Sequence, residues 1–307
     1  MADAWVAPDS RPEDAPRQPV ATPRPAAPSG GPVLPVPLRP MTIPDLLDGS
    51  LRILKLAPRT VIGLAAVVSL PVQLFLGYLN RQAIEDANVA AAFDDAFSGN
   101  ASTDATGGLG AGPFALGVVL DGLVLAIVAG GLAYLVAGWY AGTEHSLGAV
   151  IRVAFRRAAP LAVAWVLVHL AEAVFAIGLV VGALVPMTWF AVVSPAVVCE
   201  GIGPWRAVRR SGALTRRRFG AVLGTVLAVA LVDALLGSAL TGLAEVYVAL
   251  GLPGAWVVTA AAGAAAGLVL TPFVAGVAVL LYLDLRVRHE GLDIELAANR
   301  RFAPAPA

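Results

Sequence analysis

Residues 255–283 read AWVVTAAAGAAAGLVLTPFVAGVAVLLYL and contain no charged side chain. A helix needs roughly 20 mostly apolar residues to cross the hydrocarbon core of a bilayer, and this stretch is longer. The whole chain is 58% hydrophobic and 14% charged, whereas soluble domains average about 45–50% apolar and about 25% charged residues. The sequence therefore predicts an all-α integral membrane protein.

Five other apolar stretches repeat this pattern along the chain. We predict six membrane spans, at about 60–79, 114–141, 160–183, 184–199, 219–246 and 255–283. The forty residues from 160 to 199 are too many for one span, and Pro186 marks the predicted turn between two. The fourth span is short and also contains Pro195. A hairpin that re-enters the membrane is the alternative, and it would reduce the count to five or four.

The basic residues decide the predicted orientation, because Lys and Arg in short loops stay on the cytoplasmic side. With both termini inside, six spans place 20 of the 21 basic residues in the cytoplasm. The exception is Arg81, in the predicted outer loop at 80–113. Without a span at 184–199, the arginine-rich segment 205–219 would lie outside. We therefore predict a multi-pass protein of the cell membrane with cytoplasmic N- and C-termini.

The ends of the chain differ in composition from the membrane part. Residues 1–40 hold 11 of the 23 prolines and lack the apolar run of a signal peptide, which predicts a disordered cytoplasmic tail. The predicted membrane domain covers 41–296, and a short cytoplasmic tail covers 297–307. In the outer loop, residues 88–97 are a candidate short helix.

Three cytoplasmic segments share one layout, a basic, helix-prone stretch followed by a span. They are 45–58, 146–160 and 205–219. Apolar and basic residues can separate onto two faces of each segment, which is typical of a helix that lies in the headgroup plane. The chain then consists of three units, each an interfacial helix followed by a membrane hairpin. The alternative is that cytoplasmic loops are simply basic.

Glycines spaced by one helical turn predict close packing between spans, because small residues let membrane helices approach one another. The pairs are Gly138 and Gly142, Gly178 and Gly182, Gly220 and Gly224, and Gly263 and Gly267. None of them indicates a ligand.

Four ionisable residues lie inside predicted spans, where each costs about 2.5–3.5 kcal/mol on insertion scales and is a functional candidate. They are Asp121, His169, Glu172 and Asp233. His169 and Glu172 are three residues apart, and so share one face of a helix. Their distance from the inner ends of their spans predicts that Glu172 and Asp233 lie near mid-membrane, and that Asp121 lies in the outer third.

Two hypotheses explain these residues. In the first, His169, Glu172 and Asp233 form a buried cluster that handles protons or ions. In the second, the carboxyls are protonated, donate to neighbours such as Thr225, Ser238 or Thr241, and serve only packing.

The arginine-rich segment 205–219 is a candidate for binding anionic lipid headgroups, to which each basic group contributes about 1 kcal/mol. The candidate contacts are Arg206, Arg209, Arg210, Arg216, Arg217 and Arg218. The alternative is that these arginines only determine topology.

Several function classes are excluded by what the chain lacks. Its 21 basic and 21 acidic residues cancel, so no overall basic field indicates a nucleic-acid partner. It contains no Gly-x-Ser-x-Gly, phosphate-binding loop or His-Glu-x-x-His pattern. The lone Cys199 can form neither an internal disulfide nor a metal site. We therefore expect no catalytic residue, no metal and no cofactor.

Four segments together resemble a known family. They are residues 39–55 (RPMTIPDLLDGSLRILK), 194–211 (SPAVVCEGIGPWRAVRRS), 214–219 (LTRRRF) and 282–293 (YLDLRVRHEGLD). Over residues 38–296 the chain resembles the bacterial membrane-domain family, of the actinobacterial type, that is named after glycerophosphoryl diester phosphodiesterase. Some members carry a fused catalytic barrel, but this chain has neither the barrel's His-Arg-Gly start nor its metal-binding carboxylates. The resemblance implies the membrane fold and not the reaction.

Three functions fit these observations. The first is a non-enzymatic scaffold or accessory subunit that binds membrane lipids or partner proteins. The second is a transporter or permease-like component that uses the mid-membrane carboxylates, and the third is a membrane subunit for a separately encoded phosphodiesterase. A polar cavity at Glu172 and Asp233 would favour transport, whereas a solid bundle would favour scaffolding.

Overall fold

The structure, a computed structural model, describes residues 38–86, 111–178, 182 and 184–302. These residues form helices and no strand. The helices are α1 (Ile43–Leu56), α2 (Pro58–Leu79), α3 (Arg81–Asp86), α4 (Ala111–Ala141), α5 (Leu147–Arg156), α6 (Ala158–Gly178), α7 (Leu184–Trp189), α8 (Val193–Cys199), α9 (Pro204–Arg216), α10 (Phe219–Ala249), α11 (Ala255–Glu290) and α12 (Leu292–Phe302). The predicted all-α class is confirmed for this part of the chain.

Five of these helices, α2, α4, α6, α10 and α11, are long and apolar enough to cross a membrane. The six-span count is not confirmed, because residues 184–199 form the two short helices α7 and α8 instead of one long helix. Pro186 and Pro195 lack the backbone N–H that a continuous helix needs. The interruption at 190–192 is stabilised by α9, whose Ser211 and Thr215 hydroxyls donate to the Trp189 carbonyl at 2.8 and 3.1 Å.

The segment that contains α7 and α8 runs back along α6. At its start, Gly182 lies against the Phe175 carbonyl near the end of α6. At its end, Glu200 accepts hydrogen bonds from Arg210 Nε at 2.8 Å and from the Tyr282 hydroxyl at 2.9 Å. Residues 182–200 therefore return the chain from the end of α6 to α9 and to the C-terminal end of α11.

Helices occupy all three predicted basic segments, namely α1, α5 and α9. Thr42 caps α1 in a reciprocal capping box with Asp45, and the hydrogen bonds from the Thr42 backbone and hydroxyl lower the pKa of the Asp45 carboxyl. The Ser146 side chain caps α5 by accepting a hydrogen bond from the Ala149 backbone N–H. The apolar face of each helix buries residues of the protein core, such as Ile53 and Val150. Part of each apolar face is therefore covered by protein rather than left for lipid.

Helix α11 is the centre of the fold, and α1, α2, α4 and α10 all pack on it. Its most apolar stretch is 61% buried, compared with 11% for α6 and 17% for α10. A Cβ at Gly276 would lie 2.4 Å from the Ser50 hydroxyl of α1, which donates to the Phe273 carbonyl at 2.6 Å. Helices α6 and α10 are thus the most exposed of the long helices.

The predicted glycine pairs have different roles in the structure. Gly263 and Gly267 face side chains of α2. Gly142 lies just after α4 with a φ of +78°, a left-handed conformation that ends the helix instead of packing it against another.

Several predicted boundaries differ from the structure or lie outside its described residues. The third predicted span extends to residue 183, and the structure describes α6 as far as Gly178; the predicted C-terminal tail from 297 begins within α12, which is described to Phe302. Most of the predicted disordered N-terminal tail, the candidate helix at 88–97 and residues 303–307 lie outside the described residues.

Candidate functional site: an intramembrane cavity

A cavity of about 440 Å³ lies among the long helices. Its walls come from α4, α6, α10, α11 and the interrupted segment 187–194. Most lining side chains are apolar, and the polar ones include His169, Glu172 and Asp233. Ligand sites in proteins are of this size and kind, predominantly apolar with a few placed polar groups.

His169 and Glu172 form a pair on the face of α6 that lines the cavity. The His169 Nε2 and Glu172 Oε2 atoms are 3.6 Å apart, and the His169 ring stacks on Trp165 with the ring centroids 3.9 Å apart. His169 Nδ1 lies 3.0 Å from the Trp165 carbonyl. Because a carbonyl oxygen can only accept, Nδ1 carries the hydrogen, and a neutral ring then turns a bare Nε2 towards Glu172. The contact between His169 and Glu172 is therefore favourable when one proton is added to the neutral imidazole and the ionised carboxylate.

Asp233 enters the cavity from α10 and is half-buried. It forms no hydrogen bond or ion pair with any residue that the structure describes. The expected neighbours are engaged elsewhere: Thr225 donates to the Ala221 carbonyl, Ser238 to the Leu235 carbonyl, and Thr241 to the Gly237 carbonyl and to Glu245. Asp233 therefore does not form the hydrogen bonds to these hydroxyls that the packing hypothesis expected.

Asp121 does not belong to this site. It is exposed, and it accepts a hydrogen bond from Gln73 Nε2 of α2 at 2.9 Å. The cavity is lined by the next residue, Gly122, and not by Asp121. Of the four intramembrane candidates, the structure thus brings His169, Glu172 and Asp233 together and leaves Asp121 apart.

Trp165 is a site residue that sequence reasoning missed. Its indole lies over His169, and its Nε1 is buried without a hydrogen-bond partner among the described residues. The signal was available, because Trp165 precedes His169 by four residues and so lies one helical turn away on the same face. No such signal indicated that Phe190 lines the cavity, because its position depends on the interruption between α7 and α8.

The cavity is open on one side. Helix α6 packs on α4 and on α7, α8 and α9, while α10 packs mainly on α11. The two helices that carry Glu172 and Asp233 therefore form no packed interface with each other. Among the described residues, the cavity is partly open, and α6 and α10 both line it without packing extensively on each other.

A second cavity, of about 220 Å³, lies beside the first at the start of α10. Thr225 and Leu281 line both cavities. In its wall, Asp284 accepts from the Met41 backbone at 2.6 Å and from Arg288 Nε at 2.8 and 2.9 Å. These bonds hold the start of α1 against α11.

Of the six candidate lipid-binding arginines, two contact other side chains of the protein and four do not pair with an acidic residue that the structure describes. Arg210 is paired with both Glu200 and Glu290. Burial alone would lower the pKa of Arg210, but its hydrogen bonds to the two carboxylates hold that pKa above its ordinary value. Arg216 lies over the Trp189 ring, 5.4 Å from its centroid. The remaining four, Arg206, Arg209, Arg217 and Arg218, have no acidic partner among the described residues.

No family model, no curated protein and no solved structure matches the chain. Within the described ranges, no group of three or more His, Cys, Asp or Glu residues could hold a metal ion. The function is therefore argued from the geometry of the cavity.

Proposed function

We propose that this protein is a transporter or permease-like component of the cell membrane that uses His169, Glu172 and Asp233 to carry protons or a charged solute. The observation that carries the proposal is the cavity, which both Glu172 of α6 and Asp233 of α10 line. The two residues are 61 positions apart in the sequence. A solid bundle would have favoured a scaffold. The cavity is mostly apolar, but the three ionisable side chains that meet in it favour transport over a scaffold role.

The energetics of Asp233 support this proposal. A carboxylate in the hydrocarbon region costs about 2.5–3.5 kcal/mol on insertion scales. In a structural role that cost is offset by a hydrogen-bond partner, and Asp233 has none among the described residues. A proton or a bound cation would neutralise the charge, which is what a carrier site requires.

We also propose that the chain crosses the membrane six times, with both termini in the cytoplasm. The return of residues 182–200 along α6 supports a fourth crossing in two short helices. The interrupted backbone lines a cavity and is hydrogen-bonded by α9, which is the setting in which irregular backbone is tolerated within a membrane.

Proton flux tests the proposal. The purified full-length chain is reconstituted in liposomes that contain a pH-sensitive dye, and a potassium gradient with valinomycin imposes the driving potential. We expect protein-dependent acidification that falls to the protein-free rate in the E172Q/D233N double variant, because amides cannot take up protons at neutral pH. The matched control is Asp121→Asn, which changes a carboxylate outside the cavity and should leave the rate unchanged.

Two results would contradict proton transport by these residues. One is a flux in the wild-type liposomes no higher than in empty ones. The other is an unchanged flux in the double variant, provided that size-exclusion chromatography shows that this variant is as monodisperse as the wild type.

A second candidate function is an accessory protein that binds anionic lipids or a partner through α9. The observation in its favour is the set of arginines on α9 and after it that lack acidic partners, next to the exposed Trp205. Mild-detergent affinity purification with mass spectrometry of proteins and lipids tests it. A stoichiometric partner, such as a separately encoded phosphodiesterase, would favour this function over transport.

A further inference from the structure

We propose that the cavity binds a lipophilic monovalent cation, which reaches it from the bilayer through the opening between α6 and α10. This inference rests on the proposed transport function and names the substrate class of the same site. Three observations lead to it: the charge of the cavity, the nature of its walls and the side on which it opens.

The ionisable side chains of the cavity leave a net charge of −1, which one positive charge would balance. His169 and Glu172, 3.6 Å apart, form a neutral pair when they share one additional proton. Asp233 then leaves the cavity with a formal charge of −1 and with no partner from the described part of the protein. One monovalent cation, or one proton in its absence, balances this charge.

The walls favour an organic cation over a small hydrated ion. Small cations require several oxygen ligands, whereas this cavity is lined mainly by aliphatic side chains such as Val168, Val229 and Val277. Trp165 and Phe190 add aromatic rings, which attract organic cations through their faces.

We place the entrance between α6 and α10, whose outer surfaces are apolar. Leu170 of α6 and Leu231 of α10 are 62% and 60% exposed, as is typical of residues that face lipid. Because α6 and α10 do not pack together, a ligand dissolved in the bilayer can reach Asp233 without first crossing water. An amphiphilic cation satisfies both surroundings, with its charge at Asp233 and its apolar part among the aliphatic walls.

The test uses two ions of the same shape and opposite charge, tetraphenylphosphonium and tetraphenylborate. Binding of each to the purified full-length protein in detergent is measured by equilibrium dialysis. We expect saturable binding of tetraphenylphosphonium and none of tetraphenylborate. Equal binding of the two ions would show apolar partitioning only, and absence of phosphonium binding would exclude the proposed substrate class.

Variants locate the binding site. We expect Asp233→Asn to weaken phosphonium binding by about tenfold or more, the loss of roughly 1.4 kcal/mol, whereas the matched Asp121→Asn should bind like the wild type. Val229→Phe leaves the carboxylates intact and fills the cavity, and so should also abolish binding. Equal affinity in all of these proteins would overturn the assignment of the site.

The outcomes separate this inference from the function on which it rests. Carboxylate-dependent proton flux without phosphonium binding would leave transport standing and remove the substrate class. Asp233-dependent phosphonium binding without proton flux would establish the ligand site and remove proton transport.

Discussion

At the scale of single residues, the same chemical group has opposite roles in different surroundings. Asp284 is buried and accepts three hydrogen bonds, from Met41 and Arg288. Asp233 is half-buried and accepts none from the described residues. A fully bonded buried carboxylate stabilises the fold, whereas an unpaired one costs stability and is retained where binding requires it.

The first prediction concerns Asp284. Replacing it by Ala leaves the Arg288 guanidinium and the Met41 N–H without this partner, and we expect a loss of about 2–3 kcal/mol in unfolding free energy. Thermal unfolding in detergent measures the loss, and trypsin should then cleave α1 at Arg52 faster. The control is Asp48→Ala, which removes an exposed ion pair with Arg52 and should cost less than about 1 kcal/mol. Equal effects of the two variants would contradict the role given to Asp284.

The second prediction concerns Gly276. A Cβ there would lie 2.4 Å from the Ser50 hydroxyl, so Gly276→Ala should push α1 away from α11 and cost about 1–3 kcal/mol. Gly220 provides the control, because a Cβ there meets nothing within 4 Å and Ala is the better helix former. Melting temperatures should therefore fall for Gly276→Ala and stay equal or rise for Gly220→Ala.

At this scale the sequence indicated much of the site. Ionisable residues are rare in apolar spans, so His169, Glu172 and Asp233 could be identified from composition and spacing alone. Which of the carboxyls share a cavity could not, because that depends on how α4, α6 and α10 pack. Asp121 had the same signal as Asp233, yet it is hydrogen-bonded to Gln73 outside the cavity.

At the scale of secondary-structure elements, the interruption between α7 and α8 is what shapes the cavity. Residues 187–194 form part of the cavity wall. A straight helix would place these side chains differently. The two prolines made this segment an uncertain span in the sequence. What the sequence could not show is that hydroxyl groups of α9 would bond the free Trp189 carbonyl.

The third prediction tests that interaction. The double variant S211A/T215V removes both hydroxyls from the half-buried Trp189 carbonyl and the Ser211 acceptor from the Val192 N–H, and we expect it to cost about 1–3 kcal/mol. Thermal unfolding in detergent is the measurement. Ser238→Ala is the control, since its exposed hydroxyl bonds only its own helix. An unchanged melting temperature in the double variant would show that α9 does not stabilise the interruption.

At the scale of the whole molecule, the basic helices α1, α5 and α9 define the side that we propose is cytoplasmic. The sequence predicted their positions well, because basic and apolar residues alternate with a helical period in each. Their burial against the spans was not predictable, since it depends on contacts far apart in sequence, such as Ser50 with Phe273.

The fourth prediction is the orientation itself. In a Cys199→Ala background, single cysteines are placed at Gln82 in α3 and at Glu144 in the turn before α5. A membrane-impermeant maleimide should label the Gln82→Cys protein in intact cells, and the Glu144→Cys protein only after permeabilisation. The reverse labelling pattern would overturn the proposed topology, and labelling of both in intact cells would rule out a crossing between them.

The two cavities are separated by very little protein. Thr225 and Leu281 line both the cavity that holds Asp233 and the one beside α1, and so form part of the partition between them. A rotamer change at Leu281 is therefore enough to alter that partition, without displacement of any helix backbone. Side-chain rotation is intrinsically much faster than collective helix or domain motion, which takes microseconds to milliseconds. In a carrier built this way, the inner gate would be a side chain and not a moving helix.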